Sequence, residues 1–592
     1  MLLSAGQFSV SYENGFLRYI NLAGKEAVRM IYFAVRDRDW NTIPGIISNV
    51  DITQSENAFS IQYQFEVKAG DIQMQWQVEI TGLPDSIITF DIKGKVLHTF
   101  LRNRLGLSVL HPIEGLAGKP CLIGHPDGST TEAYFPAYIS PYQPFKNIRF
   151  MQWKSGETAT LQLDFEGDIF ETEDHRNWTD SSYKTYCTPL ELPFPVEVQA
   201  GTEIQQKCTL RLVDSEVKIE NIQQEKAILI QLSKQKTAFP DIGMGMNQEV
   251  HELTEGESLF LKSLNLSHLR ADIFLTQPDW QLVLQKAIHQ CTLWQVPLEL
   301  TLFFGDNPGG EVIQLLACLS LYAVKVKHIL VLNTISRLTS TSLLKKVVPA
   351  IRLGLPSCRI GGGTDANFAE LNRNKFDYGL VDFVSFSANP QVHAFDNLTL
   401  IENMSAHADV VHSARRLTAG KPVHISPVTL KPRFNAVATS GNSTAIPPSD
   451  PRQATNFIAG WTLGSLKYLS EAGALAITYF ETTGNRGICS GGTIFPAGRL
   501  FDYIFQLKPQ QVILTRTAQP LKVSSLMLES ESGKFLLLAN HTQEEQVIKL
   551  ADGIHLKHIT DIIDNTRDRN IAGKNSCSLS PLRIISLELQ KG

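Results

Sequence analysis

From the N-terminus to about Leu232, apolar and polar residues alternate one for one in short runs: FSVSYENGFLRYI, FSIQYQFEV, IQMQWQVEI, IITFDIKGKV, ATLQLDFEG and KCTLRLVD. Successive side chains of a strand point to opposite faces, so a period of two with turn residues between the runs predicts half-buried antiparallel strands. Many such strands, with no convincing helical periodicity, imply a β-sandwich over residues 1–235. Around Phe239 the pattern changes. Short apolar runs now alternate with longer segments whose apolar residues recur at helical spacing, the signature of βα units on a parallel sheet. The candidate strands are Asp241–Asn247, His268–Ile273, Leu298–Phe304, His328–Asn333, Cys358–Gly363, Phe383–Asn389, Val423–Val428 and Leu475–Glu481, with helices such as Trp280–Leu293 and Gln453–Leu469 in the gaps. Eight such units predict a closed (β/α)8 barrel of the TIM type over residues 236–510, an open doubly wound sheet being the alternative. From Val512 the alternation returns in VILTRT, LKVSSLML, KFLLLAN, EQVIKL and RIISLEL, predicting a small C-terminal β-sandwich domain over residues 511–592.

Composition narrows the partners. Lys plus Arg number 54 against 59 Asp plus Glu, a net charge of −5, so no basic surplus exists to neutralise a phosphate backbone or an anionic bilayer. Neither nucleic acid nor a membrane is an expected partner. The start, MLLSAGQFSVSYENG, has no cationic lead and no apolar run of signal length, so no leader is expected. The longest apolar stretch, Val312 to Leu332, is broken by Gln314, Lys325, Lys327 and His328 and falls short of a membrane span. The 8 cysteines are dispersed and never form CxxC, which fits neither a disulfide framework nor a zinc knuckle; a reducing cytoplasm is the expected location.

In a (β/α)8 barrel the carboxyl ends of the strands open into one mouth, and the site lies there. Those ends present Asn247, Gln248 and Glu249, then Asp272, Asp306, Asn333, Asp365 and Asn367, then Asn389, Gln391 and His393, and last Glu481. The acids Glu249, Asp272, Asp365 and Glu481, set among amides, suit a polyhydroxylated ligand, and carboxyls in unlike environments can divide acid and base roles. Glu481 precedes the loop-like TTGNRG, where helix capping explains it poorly. Asp365 precedes ANFAELNR and could equally cap that helix. His393 stands between ligand contact and a structural hydrogen bond. Asp272 in HLRADI is expected at the mouth, with pairing to Arg270 expected only where strand alternation breaks. Outside the barrel, the polar stretch around His175, Arg176 and Asn177 is expected to lean over the mouth, the alternative being a solvated loop. No GxSxG elbow, HExxH, Walker A or complete dinucleotide loop is present, so neither NAD nor ATP is expected.

Four motifs, EDHRNWTDSSYKTY, GGGTDANFAELNR, FSANPQVHAFDN and ITYFETTGNRG, together resemble the D-apionate lactonase family of bacterial apiose catabolism, and the resemblance extends over the whole chain. It implies hydrolysis of a small sugar lactone, D-apionolactone, to D-apionate. It brings no catalytic set, so the roles are read from chemistry. Lactone hydrolysis needs a base-activated water, stabilisation of an oxyanion and a proton for the leaving alkoxide. Glu481 is assigned as base, with His393 or Asp365 as proton donor. Asn389, Asn367 or Arg176 would contact the oxyanion and hydroxyls, Glu249 and Asp272 the ring hydroxyls, and Asn333, His175 and Asn177 complete the expected binding set. No cofactor is expected and no compact metal motif occurs, although a divalent ion held by the scattered acids stays open because hard cations need no compact motif. More distantly, the barrel resembles the large (β/α)8 glycosidase clan, in which an Asn-Glu pair follows strand four and a Glu follows strand seven. Here Thr334 follows Asn333, and Glu481 closes the eighth candidate strand. The alternatives are a glycoside hydrolase with paired carboxylates and a non-catalytic carbohydrate-binding protein.

Overall fold

The computed structural model describes residues 1–590 apart from 157, 216–226, 248, 250–252, 437–448, 552 and 569–571. Their contacts divide the chain into two compact units, Met1–Arg176, Ser181–Gln224 and Phe434–Ala445 forming one, and Asn177–Asp180, Glu225–Arg433 and Ile446–Gly592 the other.

The first unit is a sandwich of two nine-stranded antiparallel sheets. Along Ile72–Leu83 every second residue, Ile72, Met74, Trp76, Val78 and Ile80, is buried, as a period of two requires. The two sheets interdigitate through aromatic side chains: Phe33 of one packs 5.2 Å from Trp76 and 6.4 Å from Phe90 of the other.

The second unit is built on a closed barrel of eight parallel strands. These are β1 (Asp241–Gly245), β2 (His268–Phe274), β3 (Leu298–Phe304), β4 (Val326–Asn333), β5 (Arg359–Gly363), β6 (Phe383–Ala388), β7 (Val423–Val428) and β8 (Ala476–Glu481), and β8 pairs with β1 to close the ring. The strands are buried on both faces, which is why they read as continuous apolar runs. Helices Trp280–Trp294 and Asn456–Glu471 occupy the expected gaps. The helix Glu255–Ser263 begins at a reciprocal capping box between Thr254 and Glu257. Asn333 ends β4 and Glu481 ends β8, so the strand count read from sequence stands and no Asn-Glu pair follows β4.

One strand changes sheet relative to the sequence reading. Ala227–Ala238, counted largely with the N-terminal region, lies in the C-terminal nine-stranded sheet, antiparallel to Gln511–Thr517 and parallel to Gln546–Leu550. Alternation marks a residue as strand without saying which edge it joins. The helix Asn456–Glu471 is buried between the barrel and this sheet. Its Gly464 meets both sides: a Cβ there would lie 2.2 Å from Met404 Sδ and 2.8 Å from Ser524 Oγ. Barrel and C-terminal sheet therefore share one packed interior. All eight cysteines are free thiols. Among the described residues, no helix is long and apolar enough to cross a membrane.

Candidate active site

At the carboxyl ends of the barrel strands, a pocket is lined by Arg270, Asp272, Lys431, Arg433, Asp450, Glu481 and Arg486, with Gly245, Met246 and Phe480 as apolar wall. Charges of opposite sign follow one another along its inner side. Arg270 Nε donates to Asp272 Oδ1 at 2.8 Å, and Arg433 donates to Asp272 Oδ2. The same Arg433 lies 3.5 Å from Asp365 Oδ2, which also accepts from Arg337 at 2.9 Å. Arg337 in turn lies over the stacked rings of Phe274 and Phe303, 5.2 Å from each centroid. Below the pocket, Arg270 donates to Ser426 Oγ at 3.0 Å, and Ser426 donates to Glu299 at 2.7 Å.

The sequence reading set Arg270 and Asp272 apart, and the structure corrects it. They are two positions apart on β2, so alternation puts them on the same face. Burial works to raise the Asp272 pKa, but Arg270 and Arg433 outweigh it and hold the carboxyl well below its usual range. Asp365 is the opposite case. Burial dominates there and raises its pKa against the pull of Arg433 and Arg337. Its Oδ1 is buried with no hydrogen-bond partner among the described residues. Asp365 does not cap the following helix, since the N-cap position belongs to Asn367.

On the other side of the pocket Arg486 gathers two acids. Its Nε donates to Glu481 Oε1 at 2.8 Å and its Nη1 to Glu249 Oε1 at 3.1 Å. The loop that carries Arg486 turns at Gly484, φ +82°, where a Cβ would sit 2.8 Å from Asn247 Nδ2. Burial raises the Glu481 pKa and Arg486 partly restrains the rise. Glu481 is thus a buried-end carboxylate facing the pocket, a stronger base than a solvated glutamate and held in place by a guanidinium.

The remaining candidates of the barrel unit are not among the residues that line this pocket. Asn333 spends its carbonyl on the backbone of Ile335 and Ser336, forming its own turn. Asn389 donates to Asn367 at 3.0 Å, and its carbonyl accepts from Thr179. His393 Nδ1 lies 2.7 Å from Asp180 Oδ2, and its ring meets Trp178 edge-on. Asn177 accepts from Asn372. Asn177–Asp180 thus pack within the barrel unit on the loops after β5 and β6. Their neighbours belong to the sandwich unit. Arg176 is fully buried, donating to Asp174 and to the carbonyl of Pro136, and His175 is buried with Nδ1 3.3 Å from Ser182 Oγ. Gln248 lies outside the described residues. The residues missed on sequence are the cations: Arg433 in a loop beyond β7, Lys431 beside it, and Arg486 inside the quoted TTGNRG. The signal was present for Arg486, as the basic residue of a glycine loop just after the proposed base.

A model of the N-terminal domain of D-apionate lactonase matches residues 1–215, and a model of the TIM-barrel domain of the same enzyme matches residues 242–508. A D-apionate lactonase of Brucella anthropi is 29% identical over 515 residues, 83% of each chain. With a closed barrel and an acid-and-cation mouth, these matches define the chain as a hydrolase acting on a lactone ester. Among solved structures, a GH30 endoxylanase from Clostridium papyrosolvens C71 aligns at 10% identity and a TM-score of 0.44, over 62% of this chain and 100% of that one. A β-arabinopyranosidase aligns at 10% identity and 0.34 over 100% of both chains. The chain belongs to the D-apionate lactonase family.

Proposed function

We propose that this lactonase hydrolyses D-apionolactone to D-apionate, using the pocket between Glu481 and Arg433. The observation that carries the reading is the pairing, in one pocket, of a carboxylate whose pKa burial raises with guanidiniums fixed by buried acids. Glu481 takes a proton from water as the water oxygen attacks the lactone carbonyl. Negative charge then collects on the former carbonyl oxygen, where Arg433 can meet it. Asp272 and Asp365 hold that guanidinium in place before reaction, so little reorganisation is needed. The carbon–oxygen bond of the ring breaks, and protonated Glu481 returns its proton to the departing alkoxide. Water has then added across the ester, leaving a free hydroxyl and a carboxylic acid that releases its proton to solvent as the carboxylate. A base that becomes the acid needs no second donor, so Asp365 serves as a positioning residue behind Arg433, and His393, paired with Asp180, has no step in the reaction. Glu249 and Lys431 line up with the sugar hydroxyls and the new carboxylate.

The test is a turnover assay on D-apionolactone and other aldonolactones beside aryl glycosides, with spontaneous lactone opening subtracted. Hydrolysis of the lactones alone is expected. Turnover of the glycosides in preference would place the pocket in glycosidase chemistry, and D-apionolactone no better than the other lactones would remove the substrate assignment.

A further inference from the structure

At the amino ends of the same strands lies a second cluster that the lactonase chemistry does not use. His268 is the first residue of β2, Glu299 the second of β3, His328 the third of β4 and His424 the second of β7. They converge on one level inside the barrel and are sealed, with exposures of 0, 3, 2 and 1%. His328 Nδ1 lies 3.1 Å from Glu299 Oε2, and His268 Nε2 lies 3.7 Å from the same oxygen. The His424 ring centroid is 4.6 Å from that of His328.

Two features distinguish this cluster from an ordinary buried ion pair. First, the ligand atoms of His268, Glu299 and His328 lie within 4.8 Å of one another, and the two edges from Glu299, 3.1 and 3.7 Å, are close to the about 3.3 Å that separates neighbouring donors in a tetrahedron with ligand bonds of about 2.0–2.1 Å. Second, both ring nitrogens of His424, and Nδ1 of His268, are buried with no hydrogen-bond partner among the described residues. Buried polar atoms are ordinarily paired, so the cluster is incomplete as a hydrogen-bond network.

We propose that the floor of the barrel is a structural metal site that takes one zinc-class divalent ion, with His268, Glu299 and His328 as the preformed ligands and the adjacent His424 turning an unpartnered ring nitrogen in as the fourth. Three imidazoles and one carboxylate are the donor set such an ion prefers over calcium or magnesium, which seek oxygen. The surroundings are arranged to orient the ligands. Ser426 donates to the other oxygen of Glu299 at 2.7 Å, and Phe383 stacks on His424 with centroids 3.8 Å apart. Thr478, now 2.8 Å from His268 Nε2, has Ser426 Oγ at 2.7 Å as its alternative partner when that nitrogen turns to a metal. With four protein ligands and no opening, the ion would hold strands together and meet no substrate.

The full chain, expressed with zinc in the medium and purified without chelator or metal-affinity resin, is expected to carry about one zinc by elemental analysis. Protein unfolded in guanidinium with chelator should recover that equivalent, and a higher Tm, only when refolded with zinc. His424→Phe, which keeps the stack on Phe383, should lose most of the metal. Less than about a tenth of an equivalent in both purified and zinc-refolded wild type, as a buried water would give, overturns the proposal. A full equivalent retained by folded His424→Phe overturns the assignment to this site. Should that variant not fold, the two wild-type measurements decide alone.

Discussion

At the mouth of the barrel Arg433 stands between Asp272 and Asp365 with open space beside it; at the floor Glu299 stands between His268 and His328 with none. Both ends are charged interiors built from neighbouring strands, and they are joined through Arg270 and Ser426. Paired charges at the mouth keep a cation ready for an incoming anion, because each guanidinium already has its carboxylates and needs no rearrangement. At the floor the acid is surrounded by imidazoles, and ring nitrogens of His268 and His424 are buried with no hydrogen-bond partner among the described residues. The lesson is that burying charge serves chemistry only where one side of the cluster remains accessible.

The largest expected effect separates the ends directly. Glu481→Gln keeps shape but cannot accept a proton, so kcat should fall by about 10²–10⁴ with Tm nearly unchanged. A well-folded variant that turns over like wild type would take Glu481 out of the base role. Arg433→Met should lower kcat/KM by about 10²–10³ and also cost about 1–3 kcal/mol, because Asp365 loses a counter-charge. Arg433→Lys restores charge without the fork and should recover stability better than rate; equal recovery of both would reduce Arg433 to a simple counter-ion. At the floor the order reverses. Glu299→Gln should lower Tm more than Glu481→Gln does, and a smaller drop would erase the contrast between the ends.

The smallest effect concerns Glu370, behind the mouth, whose pKa burial raises to about 7 and whose Oε2 is buried without a partner. The folded state holds its proton more tightly than the unfolded chain, whose value is 4.5. Its contribution is therefore fully present below that value and is lost as pH rises through about 7. Glu370→Gln should raise stability by about 1–2 kcal/mol at alkaline pH and by almost nothing in acid. Equal melting gains across that range would show that Glu370 ionises freely.

Much of the barrel was legible because strands covered on both faces must be apolar throughout, and such runs can be counted. All eight candidate strands overlap the observed ones closely. Their polar end residues were legible for the same reason, since Asp272, Asp365 and Glu481 interrupt or end an apolar run. What stayed hidden depends on pairing across the chain. Arg433 comes from a loop with no periodicity, and its partners lie on β2 and after β5. Arg176 looked like a ligand-contacting residue, yet its guanidinium is consumed by Asp174 and Pro136. The floor histidines are each a lone polar residue near a strand start, and only barrel closure brings four of them to one level.

The strand Ala227–Ala238 enters the barrel from the sheet that Gln511–Thr517 joins on leaving it. Beginning and end of the barrel sequence are thereby buckled together. During synthesis, the first of these strands has no antiparallel partner until some 270 further residues have left the ribosome. The buckle acts as a completeness check: a chain broken off before Gln511 would carry all eight barrel strands and still lack the strand that fastens its entrance. Truncation at the apparent domain boundary near residue 510 should therefore yield an aggregation-prone barrel with an open edge at Ala227–Ala238, rather than a free-standing enzyme.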